Sequence, residues 1–169
     1  MNELEKQYPD EIARILAKYP AENRRAAVMP LIYLAQRQRG YVNNHDIQNI
    51  GEIAGVSATD VASIVGYYTL FHDRPEGKIR IQVCTDMPCA LRGAEEFLQA
   101  LCEKLSIQPG QTTPDGFVTV EEVKCLAACD RAPMFQVQTG KGIFYHEHQT
   151  VDTALEVIDT YRKETKEEG

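Results

Sequence analysis

The spacing of apolar residues in the first part of the chain is typical of amphipathic helices. Apolar side chains recur three and four positions apart and predict four short helices, over residues 10–19, 24–39, 45–54 and 57–71. Ser57 and Asp60 have the spacing of a capping box, which defines the start of the fourth helix. Pro30 is expected to kink the second helix or to delay its start by one turn. Four helices joined by short links predict a small bundle.

From residue 78 onward, strand and helix patterns alternate. Alternating apolar and polar residues predict strands over residues 78–84 and 117–124, and a hairpin of residues 135–138 and 143–146 around the turn at 139–142. Helical spacing predicts helices over residues 90–106 and 150–163. The order strand, helix, strand, hairpin, helix is typical of a thioredoxin-type α/β sandwich. The change of pattern falls in a turn-rich stretch at residues 73–77, so we expect two domains, residues 1–74 and 78–169.

Composition narrows the possible functions. The 169 residues include 18 basic and 25 acidic side chains, and the net charge of −7 disfavours general binding to nucleic acid or anionic membranes. The longest apolar run, residues 26–35, is too short to span a bilayer, and the first 14 residues do not resemble a secretory signal. We therefore expect a cytoplasmic protein without direct membrane insertion. In that reducing compartment, cysteines serve metal or redox chemistry more often than disulfides.

The five cysteines all lie between residues 84 and 129. Cys84 and Cys89 follow the first predicted strand with four residues between them, and Cys125 and Cys129 follow the second with three. Four thiolates from two loops suit a [2Fe-2S] cluster, in which the protein provides two sulfurs to each iron. A structural zinc site is the alternative, although its cysteine pairs are usually separated by two residues. Disulfides or unrelated buried thiols also stay open at this point.

Neighbouring residues add to the prediction of a cluster. The helix expected to begin at Ala90 would direct its positive end toward an anionic group, and Arg92 would add a positive charge. Pro88 and Pro133 are expected to stiffen the two loops. Cys102 lies on the apolar face of the same predicted helix, where a free cysteine usually acts as a small hydrophobic residue.

Two segments around these cysteines resemble a known family. Residues 84–93 (CTDMPCALRG) and 123–134 (VKCLAACDRAPM) are similar to the cluster motifs of the E subunits of NADH-quinone oxidoreductase, the small [2Fe-2S] subunits of the NADH-oxidising arm of respiratory complex I. The resemblance extends to residues 30–36 (PLIYLAQ) and 66–71 (GYYTLF). It departs at Ala127, where the family usually has glycine, and at residues 66–67, where Thr-Phe is common. Neither departure removes a cysteine.

The resemblance implies an α+β fold, with an N-terminal helical bundle followed by a thioredoxin-like [2Fe-2S] ferredoxin domain. It implies four ligands of one [2Fe-2S] cluster, Cys84, Cys89, Cys125 and Cys129, and no catalytic residue. The implied function is electron transfer in an NADH:quinone oxidoreductase, where the cluster exchanges single electrons with the FMN of a partner flavoprotein that also binds NADH. Other iron–sulfur subunits would belong to the same complex, peripheral on the cytoplasmic side of the inner membrane.

Several further expectations follow from the sequence. The chain has no glycine-rich nucleotide motif, so it should not oxidise NADH alone. Four residues ahead of the cluster domain are the expected docking surface for the flavoprotein: Tyr67, Tyr68, Leu70 and Phe71. The same cysteine motifs occur in NAD-reducing hydrogenases and NAD-dependent formate dehydrogenases, and the non-redox alternative is a zinc-stabilised interaction module.

Two weaker signals are set aside. Residues 46–68 resemble a helix-turn-helix, but residues 57–71 contain no Lys or Arg to contact phosphates or bases, so we expect no binding to nucleic acid. His146 and His148 provide only two imidazoles, which is too few for a metal site of their own.

Overall fold

The computed structural model describes residues 2–167, and the chain divides into two compact units, Met1–Pro75 and Glu76–Gly169. The first unit is helical, and the second contains a five-stranded mixed sheet with helices. The predicted α+β class is therefore confirmed. Within the described part of the chain, no helix is both long and apolar enough to cross a membrane.

The first unit consists of five α-helices and one 3-10 segment among its described residues. Their bounds are α1 Glu3–Gln7, α2 Pro9–Leu16, a 3-10 helix over Ala21–Ala27, α3 Val28–Arg39, α4 Asn44–Ala54 and α5 Ala58–Tyr67. The α-helix predicted to begin at residue 24 begins four residues later, at Val28. Pro30 therefore lies in its first turn, where the missing N–H of proline costs no helical hydrogen bond. The predicted capping box of α5 is present, with the Ser57 side chain accepting from Asp60 N. The helix ends at Tyr67 rather than at residue 71.

The second unit is built on a sheet with the strand order β2-β3-β1-β4-β5. The strands are β1 Ile79–Cys84, β2 Gln111–Thr112, β3 Val118–Val123, β4 Phe135–Thr139 and β5 Gly142–His146. β1 runs parallel to β3 and antiparallel to β4, and β4 pairs with β5 as the predicted hairpin. The helices are α6 Met87–Ala90, α7 Ala94–Leu105 and α8 Val151–Glu167. The two-residue strand β2 was not predicted, because residues 108–116 contain mostly turn-forming residues.

The helix expected over residues 90–106 begins in a different place. A single helical turn, α6, contains Cys89, and α7 starts only at Ala94. Gly93 separates them with φ +86°, a left-handed conformation that interrupts a right-handed helix and that glycine adopts without steric cost. The N-terminus of the long helix therefore lies four residues beyond the position expected at Ala90.

The parallel pair β1 and β3 positions the cysteines. Its register aligns Cys84 with Val123, so both strands end at the same edge of the sheet. All six residues of β1 are buried, as expected for the central strand of a covered sheet. The core behind this edge contains Ile81, Leu101 and Phe135, which are fully buried. The two loops that leave this edge therefore start from a rigid base.

Candidate metal centre

Two loops at the carboxyl edge of β1 and β3 contain the four predicted ligands. The first cysteine loop, residues 84–93, begins with Cys84 at the end of β1 and includes Cys89 in α6. The second cysteine loop, residues 124–134, includes Cys125 and also Cys129, the first residue of a 3-10 turn over Cys129–Arg131. Cys84 and Cys89 are each 1% exposed, Cys129 is half-buried and Cys125 is exposed.

Three of the four cysteines share one small apolar group. Cys84 and Cys89 are buried in it, and Cys129 packs against it. The other members come from the second cysteine loop and the start of α7: Ala94, Leu126, Ala128, Ala132 and Met134. The group excludes water from the sulfurs of Cys84 and Cys89, which strengthens electrostatic interactions there.

Cys102 lies elsewhere in the fold. It is on α7, 3% exposed, and it packs in the main core of the sheet unit with residues such as Leu101 and Phe135. Burial raises the pKa of its thiol, so the neutral form is favoured. The structure thus separates Cys102 from the other four cysteines.

The Cys89 thiol interacts with the sulfurs of both Cys84 and Cys129. Burial alone would raise the pKa of the Cys84 thiol, but hydrogen bonds from the backbone N–H groups of Asp86, Leu126 and Cys125 and from the Cys89 side chain lower it below its ordinary value. Burial raises the pKa of the Cys89 thiol, and its hydrogen bond to Cys84 and the nearby Cys129 raise it further. Thiols that interact in this way titrate as coupled groups, and metal ions bind their deprotonated form.

The second cysteine loop has an unusual backbone. Cys125 has φ +51° and Ala127 has φ +58°, the left-handed region that side chains with a Cβ seldom adopt. This curled path lets the consecutive N–H groups of Cys125 and Leu126 point toward the sulfur of Cys84, as in the backbone concavities that bind anions. The sequence analysis missed these donors. The glycine that the resembling family usually has at position 127 was the available signal.

The two cysteine loops present thiol ligands and hydrogen-bond donors that fit an iron–sulfur group. Thiolates are the usual protein ligands of [2Fe-2S] clusters, and N–H groups directed at sulfur stabilise their negative charge. Cys89 interacts with both Cys84 and Cys129, and Cys125 adds a backbone donor while its side chain stays exposed.

Arg92 has a hydrogen-bond partner that the sequence analysis did not identify. Its Nε donates a hydrogen bond to the carbonyl oxygen of Ala132 at 3.2 Å, so it joins the two cysteine loops as well as adding positive charge. Further contacts from the segment after β5 hold the second loop. His148 N donates to Arg131 O at 2.8 Å, and Gln149 N donates to Pro133 O at 2.7 Å. The Ala132–Pro133 peptide bond is cis.

The sequence analysis also considered residues outside the cysteine loops, namely two histidines near β5 and the expected docking surface. β5 ends at His146, so His146 and His148 do not lie on one strand. The His146 ring stacks on Phe135 with centroids 5.2 Å apart, and burial lowers its pKa.

In the expected docking surface, Tyr67 and Tyr68 are 78% and 42% exposed, whereas Phe71 is buried.

The fold and the position of the cysteines define the class first: a thioredoxin-like sheet with two cysteine loops at one edge. The family model of the thioredoxin-like [2Fe-2S] ferredoxins matches residues 12–162. The chain belongs to the thioredoxin-like [2Fe-2S] ferredoxin family, and the group that this family carries is a [2Fe-2S] cluster.

Curated relatives agree with the resemblance found in the sequence. The chain is 41% identical over 128 residues to NADH-quinone oxidoreductase subunit 2 of Thermus thermophilus, covering 76% of this chain and 71% of the relative. It is 35% identical over 153 residues to an E subunit of NADH-quinone oxidoreductase from Rhizobium meliloti, covering 90% and 88% of the two chains. The predicted similarity to the E subunits of this oxidoreductase is therefore confirmed.

A solved structure supports the fold. The chain resembles an NAD+-reducing [NiFe]-hydrogenase with a TM-score of 0.62 and 19% sequence identity. The match covers 78% of this chain and 23% of the hydrogenase chain. At that identity the match supports the fold alone.

Proposed function

We propose that this chain is an electron-transfer subunit of an NADH:quinone oxidoreductase. Its ligands to one [2Fe-2S] cluster would be Cys84, Cys89, Cys125 and Cys129. The observation that carries the proposal is the convergence of two cysteine loops at the shared edge of β1 and β3, where Cys84, Cys89 and Cys129 share one apolar group. The names of the relatives from Thermus thermophilus and Rhizobium meliloti support the choice of complex.

When bound, a [2Fe-2S] cluster supplies one-electron chemistry, since it stores a single electron. The chain's own residues set the conditions for it. The apolar group around Cys84 and Cys89 keeps water away from the sulfurs. The N–H groups of Asp86, Cys125 and Leu126 stabilise negative charge on Cys84. Burial and these hydrogen bonds are the means by which a protein adjusts the reduction potential of such a group.

The nucleotide and flavin belong to a partner in this proposal. Hydride transfer moves two electrons together, so a flavin must stand between NADH and a one-electron carrier. The sequence contains neither of the two common glycine-rich phosphate-binding motifs. We therefore assign FMN and NADH to a flavoprotein subunit, with other iron–sulfur subunits in the same complex. That complex would place the chain peripherally on the cytoplasmic side of the inner membrane.

We propose the helical unit as the docking unit. In this proposal, as in the sequence analysis, the helical domain covers residues 1–74 and the cluster domain covers residues 78–169. The exposed tyrosines of the helical unit support this role. Tyr67 and Tyr68 contact each other edge to face with ring centroids 5.1 Å apart, and Tyr33 is 47% exposed. Exposed aromatic residues are typical of permanent subunit interfaces.

Metal analysis of anaerobically purified protein tests the proposal. The full chain should contain about two irons and two labile sulfides, show a reddish-brown colour, and give an EPR signal only after reduction. Stoichiometric zinc without visible absorption would support the zinc-stabilised module instead.

Activity measurements test the assignment of the nucleotide site. The full chain with NADH and an artificial acceptor should show no turnover, and activity should appear when the flavoprotein subunit is co-expressed. NADH oxidation by the pure chain without FMN would contradict the proposal. The identity of the subunits that purify with the chain separates an NADH:quinone oxidoreductase from a hydrogenase or a formate dehydrogenase.

A further inference from the structure

The two cysteine loops are joined directly after the parallel ladder ends. The ladder finishes with the pair Cys84 and Val123 and one further bond from Thr85 N to Val123 O at 3.1 Å. One residue beyond it, Lys124 Nζ donates to Thr85 Oγ1 at 2.9 Å. Thr85 follows Cys84, and Lys124 precedes Cys125. This side-chain bond therefore connects the residues that flank two of the four cysteines.

A carboxylate completes this connection. Glu122 Oε1 accepts from Thr85 Oγ1 at 2.5 Å and from Lys124 Nζ at 2.6 Å, so the three side chains form a closed set of hydrogen bonds. Thr85 is 4% exposed, which protects its hydroxyl from competition by water. Because Glu122 and Lys124 come from the same segment, the hydrogen bonds of the Thr85 hydroxyl link both side chains to the first cysteine loop.

A second connection joins the far ends of the same loops. Arg92 Nε donates to the Ala132 carbonyl oxygen at 3.2 Å. Arg92 is three residues after Cys89, and Ala132 is three residues after Cys129. One connection thus lies beside Cys84 and Cys125, and the other lies beside Cys89 and Cys129.

We propose that Thr85 and Arg92 are positioning residues, which hold the two cysteine loops at the separation that the four ligands require. The inference rests on the proposed function, since it concerns the same cysteines. Neither residue provides a ligand atom. Each acts through the loop backbone, because a cluster held by two loops is lost when the loops separate. The need is greatest at Cys125, which is exposed and has φ +51°.

The Thr85 connection can be removed without changing any charge. Thr85→Val deletes the hydroxyl in a side chain of nearly the same shape and leaves the bond between Lys124 and Glu122 possible. Thr85→Ser retains the hydroxyl. Thr119→Val is the matched control, because Thr119 is a buried threonine on β3 whose Oγ1 accepts from Gly77 N at 2.7 Å, outside the cysteine loops. It weakens the same sheet without touching either connection.

The experiment measures the rate at which the full-length, cluster-containing chain loses iron to an excess of chelator, together with its visible circular dichroism. Loss of the Thr85 hydroxyl, which donates one hydrogen bond to Glu122 and accepts one from Lys124, should accelerate iron loss at least about fivefold in Thr85→Val. The dichroism bands, which respond to ligand geometry, should shift in the same variant. Thr85→Ser should behave as the unmodified chain does, and Thr119→Val should keep its iron at the unmodified rate.

The test of Arg92 has to separate the loss of its hydrogen bond from the loss of its charge. Arg92→Met removes both the donor and the charge, whereas Arg92→Lys keeps the charge but not the Nε donor. Both should lose iron about fivefold faster than the unmodified chain. Full rescue by Arg92→Lys would overturn the positioning role of Arg92.

Three other results would overturn the inference. The first is that Thr85→Val loses iron at the rate of the unmodified chain. The second is that Thr119→Val accelerates iron loss as much as Thr85→Val does. The third is that Thr85→Ser loses iron as fast as Thr85→Val. The result that overturns the proposed function is a different one, namely unmodified protein that contains no iron or labile sulfide.

Discussion

The two cysteine loops differ in how the fold supports them. The first loop places Cys84 and Cys89 in buried positions, one at the end of the central strand and one in a helical turn. The second loop has an exposed Cys125, a half-buried Cys129 and two non-glycine residues in the left-handed region. It depends on hydrogen bonds from the other loop and from the segment after β5. The first loop is thus stabilised by the core, and the second by contacts across loops.

This difference indicates where the site is most easily perturbed. Substitutions in the first loop act on the core as well as on the ligands. Substitutions in the second loop act mainly on loop geometry, because few of its side chains are buried. The predictions below test this contrast, from the largest expected effect to the smallest.

The largest effect is expected at Cys125. Cys125→Ser should lose most of the iron and labile sulfide, because a ligand in the less supported loop is replaced. Cys102→Ser should keep the full iron content and lose on the order of 1 kcal/mol of stability, since it places a polar group in the core of the sheet unit. Iron and sulfide analysis with thermal unfolding measures both effects. Iron loss in Cys102→Ser with retention in Cys125→Ser would contradict the assignment.

Glycine substitutions should have opposite effects in the two loops. Ala127→Gly relieves a left-handed residue at φ +58° and should stabilise the second loop by about 1 kcal/mol. Ala90→Gly, in the helical turn of the first loop, should destabilise it by about 0.5–1 kcal/mol. Amide hydrogen exchange of β1 and β3 reports the free energy of opening in this unit alone. Destabilisation by both substitutions would contradict the described backbone of the second loop.

The smallest effect concerns a side chain of β5. Tyr145 Oη donates to the Leu126 carbonyl oxygen at 3.2 Å, so it supports the second loop from outside. Tyr145→Phe removes only that hydroxyl and should destabilise the loop by about 0.5 kcal/mol, a low value because the bond is exposed. Hydrogen exchange of residues 124–128 measures it. Tyr67→Phe in the helical unit is the matched control and should leave that exchange unchanged.

Much of the fold followed from local pattern. The strand at Ile79, Ile81 and Val83 was predictable because its apolar residues alternate, and the hairpin because turn-forming residues separate two short apolar runs. The start of α7 was not predictable from periodicity. Leu91 continues the apolar pattern of the helix but lies in a turn, and the conformation of Gly93 determines where the helix begins. The short strand β2 also depends on its partner, because it pairs with Val120 and Thr119 across the sheet.

For the candidate site, too, some features could be predicted from the sequence and others could not. The identity and spacing of four cysteines at the ends of two strands were sufficient, with the resemblance, to predict the ligand set that we propose. The hydrogen-bond donors around Cys84 could not be predicted from the sequence. They are backbone N–H groups, and their direction depends on the left-handed conformation of Cys125 and Ala127. A backbone N–H leaves no signature in the residue type that carries it, and the glycine usual at position 127 in the resembling family was only an indirect signal.

The sequence by itself determined the class of the fold, the cysteine pairs and the family, because these depend on periodicity and on residue types at fixed spacing. Only the tertiary structure decided which groups join the two loops. Thr85 and Lys124 are 39 positions apart, and Arg92 and Ala132 are 40 apart, so neither pair is visible as a local motif. They meet because β1 and β3 run parallel in a register that ends both strands at one edge. That register results from the burial of both strands in a common core, which is a property of the whole unit.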